Sequence, residues 1–151
     1  MSIQPSIRLL GAFLKALSRE KIDCILIGMM AAVEQGAPLS TVDYDFWVHM
    51  PERQYLRLHK LTKSLKGTVV VPTLFEPQVN VVFRADGLRS FESELKNCHL
   101  SKPAGHRVKV LNLRRIIASK QASGRPKDLA TLPVLKDTLR LSNSLKKKSK
   151  K

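Results

Sequence analysis

The chain has 151 residues, the usual size of one domain, and its 43% hydrophobic and 26% charged residues exclude disorder over its whole length. Lys and Arg number 27 against 12 acids, a net charge of +15, and a positive field of that size favours polyanions, chiefly nucleic acid and nucleotides. Cys24 and Cys98 are the only cysteines; they lack Cys-x-x-Cys spacing, and no apolar run nears the ~20 residues of a bilayer span, which argues against a disulfide scaffold and a membrane-spanning helix.

In residues 3–19, apolar side chains recur at Ile7, Leu10, Leu14 and Leu17, with Phe13 beside them. That spacing predicts a helix with Pro5 in its first turn. Residues 22–27 read as a buried strand closed by Gly28, and residues 29–35 as a short helix stopped by Gly36 and Pro38. Residues 42–49 alternate as a strand. Val42, Tyr44, Phe46 and Val48 fall on one face, and Asp43, Asp45, Trp47 and His49 on the other. Pro51 opens a helix with Leu58, Leu61 and Leu65 as its inner stripe.

Gly67 then precedes two β-branched runs, Thr68-Val69-Val70-Val71 and Val79-Asn80-Val81-Val82-Phe83, with Pro72 and Pro77 bounding the loop between them. A short helix is expected over residues 88–96, with Phe91 and Leu95 inward. Residues 106–110 form a strand whose wet face carries Arg107 and Lys109, a pattern that fits contact with a polyanion and a solvated edge equally well. Asn112 caps a helix over residues 113–121. A last helix runs from residues 125–126 to Leu141. Residues 1–141 thus form one domain. Residues 142–151, which hold five lysines in their last six positions, form a disordered tail. Helices and strands are intermixed too irregularly for an alternating doubly wound sheet, so the expected class is α+β, a mixed sheet with helices packed on it. The location expected is cytoplasmic.

The chemically informative cluster is Gly28, a helix start, and Asp43-Tyr44-Asp45 on the next strand. Carboxylates at i and i+2 of a strand project from one face and can share a divalent cation, and oxygen ligands of this kind suit Mg²⁺ beside substrate phosphates. A glycine at a helix start lets a phosphate approach the backbone. Each half of this pattern is common as a plain turn or a solvated acid pair; their order and spacing carry the signal.

Taken together, Ile25-Leu26-Ile27-Gly28-Met29-Met30-Ala31-Ala32-Val33, Gly36 and Thr41-Val42-Asp43-Tyr44-Asp45-Phe46-Trp47-Val48 resemble the signature of the nucleotidyltransferase superfamily, which shares a core with DNA polymerase beta. Ile117-Ala118-Ser119-Lys120 and Gly124-Arg125-Pro126-Lys127-Asp128-Leu129-Ala130 are similar to the closing segment of its small bacterial and archaeal members, the abortive-infection and toxin–antitoxin type. The resemblance implies the nucleotidyltransferase fold and an NTP substrate held with Mg²⁺ or Mn²⁺. Asp43 and Asp45 would hold the metal, and Gly28, Met29 and Lys120 would meet the phosphates. The nucleotidyl group would pass to a hydroxyl of RNA, DNA or a partner protein. Lys127 and Asp128 would tie the last helix to the core.

Two departures stand out. Met29 occupies a position that is usually Gly or Ser, and Asn80 stands where active members carry a third carboxylate. An amide ligates through its oxygen but supplies no charge and no base. The readings left open are a slow transferase, a one-metal variant, and a retired fold that still binds nucleotide or RNA. Asp86 is assigned to a turn, Trp47 to core packing beside the site, and His49 to a partly exposed strand end.

Overall fold

The computed structural model describes residues 5–41, 43–54, 56–58, 60, 73–75 and 79–149. Helix α1 (Pro5–Arg19) leads into strand β1 (Cys24–Ile27), helix α2 (Gly28–Glu34) and strand β2 (Tyr44–Val48). Strands β3 (Thr73–Phe75) and β4 (Val79–Val82) follow, then the one-turn helix α3 (Phe91–Glu94) and strands β5 (Cys98–Ser101) and β6 (Val108–Leu111). Helices α4 (Leu113–Ser123) and α5 (Pro126–Ser149) close the chain.

The six strands form one mixed sheet in the order β3-β4-β2-β1-β6-β5. β1 runs antiparallel to β2 and parallel to β6, and β2 runs parallel to β4. The alternation of side chains along β2 sends Phe46 to one face and Trp47 to the other. Phe13 of α1 packs on Phe46 at 5.7 Å between ring centroids, and Phe91 of α3 meets Trp47 edge-on at 5.3 Å. Helices therefore cover both faces, and this explains why Ile25, Leu26, Phe46, Trp47, Val110 and Leu111 are all buried.

On α1, Leu10, Phe13 and Leu17 are buried while Leu14 is half-buried, as the helical spacing requires. Gln35 fastens α2 to the sheet–helix junction. Its side-chain amide donates to Ala31 O and Leu111 O, and its Oε1 accepts the Leu113 N–H at 2.8 Å. That last bond satisfies one of the open N–H groups at the start of α4. Asn112 stands at the N-cap as expected but makes no side-chain cap bond; its Oδ1 instead lies 2.7 Å from His99 Nδ1.

Several boundaries differ from the sequence reading. Between Pro72 and Pro77, where a loop was expected, Thr73–Phe75 pairs antiparallel with β4 as an edge strand. The strand Cys98–Ser101 gave no alternating apolar signal and takes the opposite edge. β6, whose pattern also fitted a solvated edge, is consequently an interior strand between β1 and β5. The short helix begins at Phe91, capped by Ser90 accepting from the Ser93 N–H, rather than at Leu88.

The last helix does not stop at Leu141 but runs to Ser149. Residues 142–149, expected to lack structure, are Ser, Asn, Leu and Lys with no Gly or Pro, so nothing breaks a helix already nucleated by packing upstream. Leu58 is buried as expected. Val42, Leu61, Leu65 and the run of residues 68–71 lie outside the described residues.

Candidate functional site

Register places the site. Ile27, the last residue of β1, pairs with Asp45 of β2, and Asp45 pairs in turn with Asn80 of β4. One row across three strands thus brings the end of β1, a carboxylate and an amide side by side. Gly28 follows Ile27 with φ +73° and begins α2. A Cβ on Gly28 would collide with Asp45 Oδ2. The glycine is thus needed twice, for its left-handed backbone and for the space the Asp45 carboxylate occupies.

Asp45 is held from the other side by Asn80, whose Nδ2 donates to Asp45 Oδ1 at 2.8 Å. Its carboxyl is pushed above the usual carboxylate range, first by burial and then by the neighbouring Asp43, while the Asn80 bond, Lys120 and Lys127 pull the other way. Asp43 precedes β2, its N–H donating to Thr41 Oγ1 at 3.2 Å. Asp43 Oδ1 is buried yet accepts no hydrogen bond from the described residues. A buried carboxylate oxygen without a donor is costly unless something positive meets it.

Both acids open into a cleft of about 660 Å³ that Gly28, Met29, Asn80 and Lys120 also line. The structure therefore brings together all six residues singled out in the sequence. Lys120 is mostly buried and does not stand free: its Nζ lies 3.1 Å from Asp128 Oδ1. Burial alone would raise the Asp128 carboxyl, but hydrogen bonds from Ser123, Lys120 and Arg125 outweigh it and hold it at about 2. Asp128 thus ties the start of α5 to the end of α4, as expected. Lys127 does not share that role. It is exposed and lines the cleft, close enough to favour the charged form of Asp45.

Sequence reasoning missed Thr41 and the cationic rim of Arg84, Arg125 and Lys127. Thr41 had a local signal, since a hydroxyl two residues ahead of an acid can receive its N–H; the rim brings together two loop residues, Arg84 and Arg125, and Lys127 of the first turn of α5, which converge only in three dimensions. Trp47 is core, its Nε1 donating to Phe83 O at 3.2 Å. His49 is exposed, stacks on Phe91 and pairs with Glu92 Oε1 at 3.0 Å, so it takes no part in the cleft. Asp86 stands in a turn with Gly87.

Among the described residues no group of three or more His, Cys, Asp or Glu could hold a metal ion. What the cleft offers is a two-carboxylate set with one unsatisfied oxygen, which fits a single divalent cation completed by phosphate and water oxygens. A Gly28→Ala substitution is expected to destabilise the fold by about 2 kcal/mol, from the left-handed backbone and the displaced carboxylate. A denaturant midpoint that moves by less than about 0.5 kcal/mol would show that the contact yields freely.

No family model matches the chain, and no curated protein matches it. Solved structures do. The solution structure of the antibiotic-resistance factor ANT(2″)-Ia aligns over 95% of this chain and 91% of its own, with TM-score 0.58 and 14% identity. Its crystal structure in complex with adenylyl-2″-tobramycin aligns over 95% and 98%, with TM-score 0.52 and 15% identity. An antigenic nucleotidyltransferase-like protein from Paracoccidioides brasiliensis aligns over 91% and 77%, with TM-score 0.50 and 17% identity. The mixed sheet, the helices on its two faces and these alignments together give the chain a nucleotidyltransferase-like fold.

Proposed function

We propose that the cleft binds a nucleoside triphosphate with one Mg²⁺ or Mn²⁺ and transfers its nucleotidyl group to a hydroxyl of a nucleic acid or a partner protein. The observation that carries this reading is the buried, unpartnered Asp43 Oδ1 beside an Asp45 carboxylate wedged against Gly28. Two neighbouring acids, one raised by burial and the other with a buried oxygen that no described residue meets, call for a cation.

When bound, the cation would neutralise charge on the triphosphate as a hydroxyl oxygen bonds to the α-phosphorus, its proton passes to solvent and the bond to the departing pyrophosphate breaks. The chain's own residues do the rest. Asp43 and Asp45 fix the cation's position, Asn80 locks the Asp45 rotamer through its hydrogen bond, and Lys127 and Arg125 add positive potential at the mouth. Lys120 acts from behind, its charge partly committed to Asp128. A partner protein as acceptor would suit one half of a toxin–antitoxin pair.

A second reading, a nucleotide- or RNA-binding module without turnover, is favoured by Asn80 and Met29. Asn80 donates a hydrogen bond to Asp45 where a further carboxylate would have strengthened the cation site. Met29 lines the cleft immediately after the turn. Incubation with labelled NTP, Mn²⁺ and either total RNA or total protein separates the two. The enzymatic reading expects labelled product that disappears in the Asp43→Ala protein. Cation-dependent NTP binding without product points to the module, and NTP binding that is indifferent to the cation and to Asp43 sinks both.

A further inference from the structure

The α4–α5 pair carries a second concavity, of about 540 Å³, on the side turned away from the cleft. Arg114 of α4 and Lys136, Arg140 and Lys147 of α5 stand around it, with Ile117 and Leu139 also lining it. A helix turns about 100° and rises about 1.5 Å per residue, so Lys136, Arg140 and Lys147 share a stripe about 40° wide and about 16 Å long. By the same turn, Arg114 sits about 120–180° around α4 from the side chains of Ser119, Lys120 and Ser123 that line the cleft, and no residue lines both concavities. The two concavities are separate.

Four cations border this groove and no acid lines it. Arg140 does pair with Asp137 at 2.6 Å, but both side chains are exposed, and such surface pairs exchange readily with a competing anion. Arg114, Lys136 and Lys147 form no ion pair among the described residues. From Arg125 onward the sequence holds only two acids, Asp128 and Asp137, and the first of these is buried in its own set of bonds. Asp137 apart, no acid of α4 or α5 is available to offset the stripe.

We propose that this groove is a single-stranded nucleic-acid site, independent of the nucleotide cleft. The phosphates follow Lys136, Arg140 and Lys147 along α5, Arg114 grips from across the groove, and the partly buried Leu139 offers apolar contact to sugar or base over a floor that the buried Ile117 supports. The charge supplies a polyanion's affinity and the concavity supplies its shape. A flat lipid surface fits poorly. It cannot enter a groove between two helices, and the exposed Leu141 and Leu145 lie about 100–180° around α5 from the cations, so the exposed leucines do not share the basic face.

The test is fluorescence anisotropy of a labelled oligouridylate with the full chain, titrated with salt. The variant combines Arg114→Gln, Lys136→Gln and Arg140→Gln. Each lost phosphate contact lowers the salt slope by about 0.7 for a single strand, so the slope should fall by about 2 and affinity near physiological salt by roughly tenfold or more. The Asp45→Asn protein should bind the oligonucleotide like the wild type, and a chain ending at residue 147 should lose less than about threefold. Should the triple variant melt early, Lys136→Gln and Arg114→Gln are read singly, each with a slope change of about 0.7. Affinity within about twofold of wild type in the triple variant overturns the proposal. So does a loss reproduced in full by the shortened chain, or tighter binding to phosphatidylserine vesicles than to the oligonucleotide.

Discussion

Asp45→Asn is expected to remove cation-dependent NTP binding, by about a hundredfold in affinity, while leaving the fold as stable as before or more so. The loss follows from the role proposed for Asp45: changes beside a metal ligand cost about 10–100-fold, and loss of the ligand's own charge belongs at the top of that range. The stability follows from the position of the side chain. Burial and the neighbouring Asp43 push the Asp45 carboxyl above its ordinary value, which means that the folded state disfavours its charge. An amide keeps the shape beside Gly28 and can still accept from Asn80 while dropping that charge.

The sign is checkable against pH. A carboxyl whose folded pKa is raised makes the native state more stable as pH falls through that pKa, because the folded form then takes up the proton first. The asparagine variant should therefore match or exceed the wild type at neutral pH, and its advantage should vanish on acidification. A stability rise of about 1 kcal/mol corresponds to roughly 2–4 °C in Tm for a chain of this length. Calorimetry showing the variant more than about 1 kcal/mol less stable at neutral pH would make Asp45 a structural anchor, and the trade of stability for binding would not exist.

Glu94→Ala is expected to have the largest effect on stability, about 3 kcal/mol, or about 10 °C in Tm. Glu94 is fully buried at 0% exposure. Its carboxylate accepts from Arg115 at 3.0 and 2.6 Å, from the Arg89 N–H at 2.9 Å and from Asn97 at 2.8 Å. It joins the loop before α3, α3 itself and α4 in one knot, and its removal strands the guanidinium of Arg115, which is only about a quarter exposed at 26%. Paired ions cost little to keep but much to half-remove.

The hydrogen bond from Arg115 holds the Glu94 carboxyl at about 2 against an ordinary 4.5. A depressed carboxyl contributes stability in full above its unfolded pKa and loses it as pH falls toward the folded one. Glu94 and Asp128, also held at about 2, should therefore make stability fall between about pH 4.5 and 2. In the Glu94→Ala protein part of that fall should be missing. Unfolding curves of the two proteins that run parallel through that window would show that Glu94 titrates alike in both states.

The strand–glycine–helix unit, the strand that holds Asp45 with Asp43 just before it, and the Asp128 tie were legible because each is written within a few neighbouring residues. Period-2 and period-3.6 patterns, a glycine and two acids carry their meaning locally. The same locality made α1 readable, since Leu10, Phe13 and Leu17 face the core by helical spacing alone. The edge strands Thr73–Phe75 and Cys98–Ser101 were not legible. An edge strand is covered on few sides and needs no alternating apolar code, so only its hydrogen-bonded neighbour identifies it.

The site divides along the same line. Sequence by itself determined which residue types were available, two carboxylates at i and i+2, a glycine able to take φ +73°, and an amide in a later apolar run. Tertiary structure alone decided that Ile27, Asp45 and Asn80 share one row, that Asp43 Oδ1 is left without a donor among the described residues, and that Lys127 faces the cleft while Asp128 is buried. Register is the physical reason. A slip of one residue between strands would turn Asp45 to the Phe13 face, and no pattern inside a single strand records which residue of its neighbour it will meet.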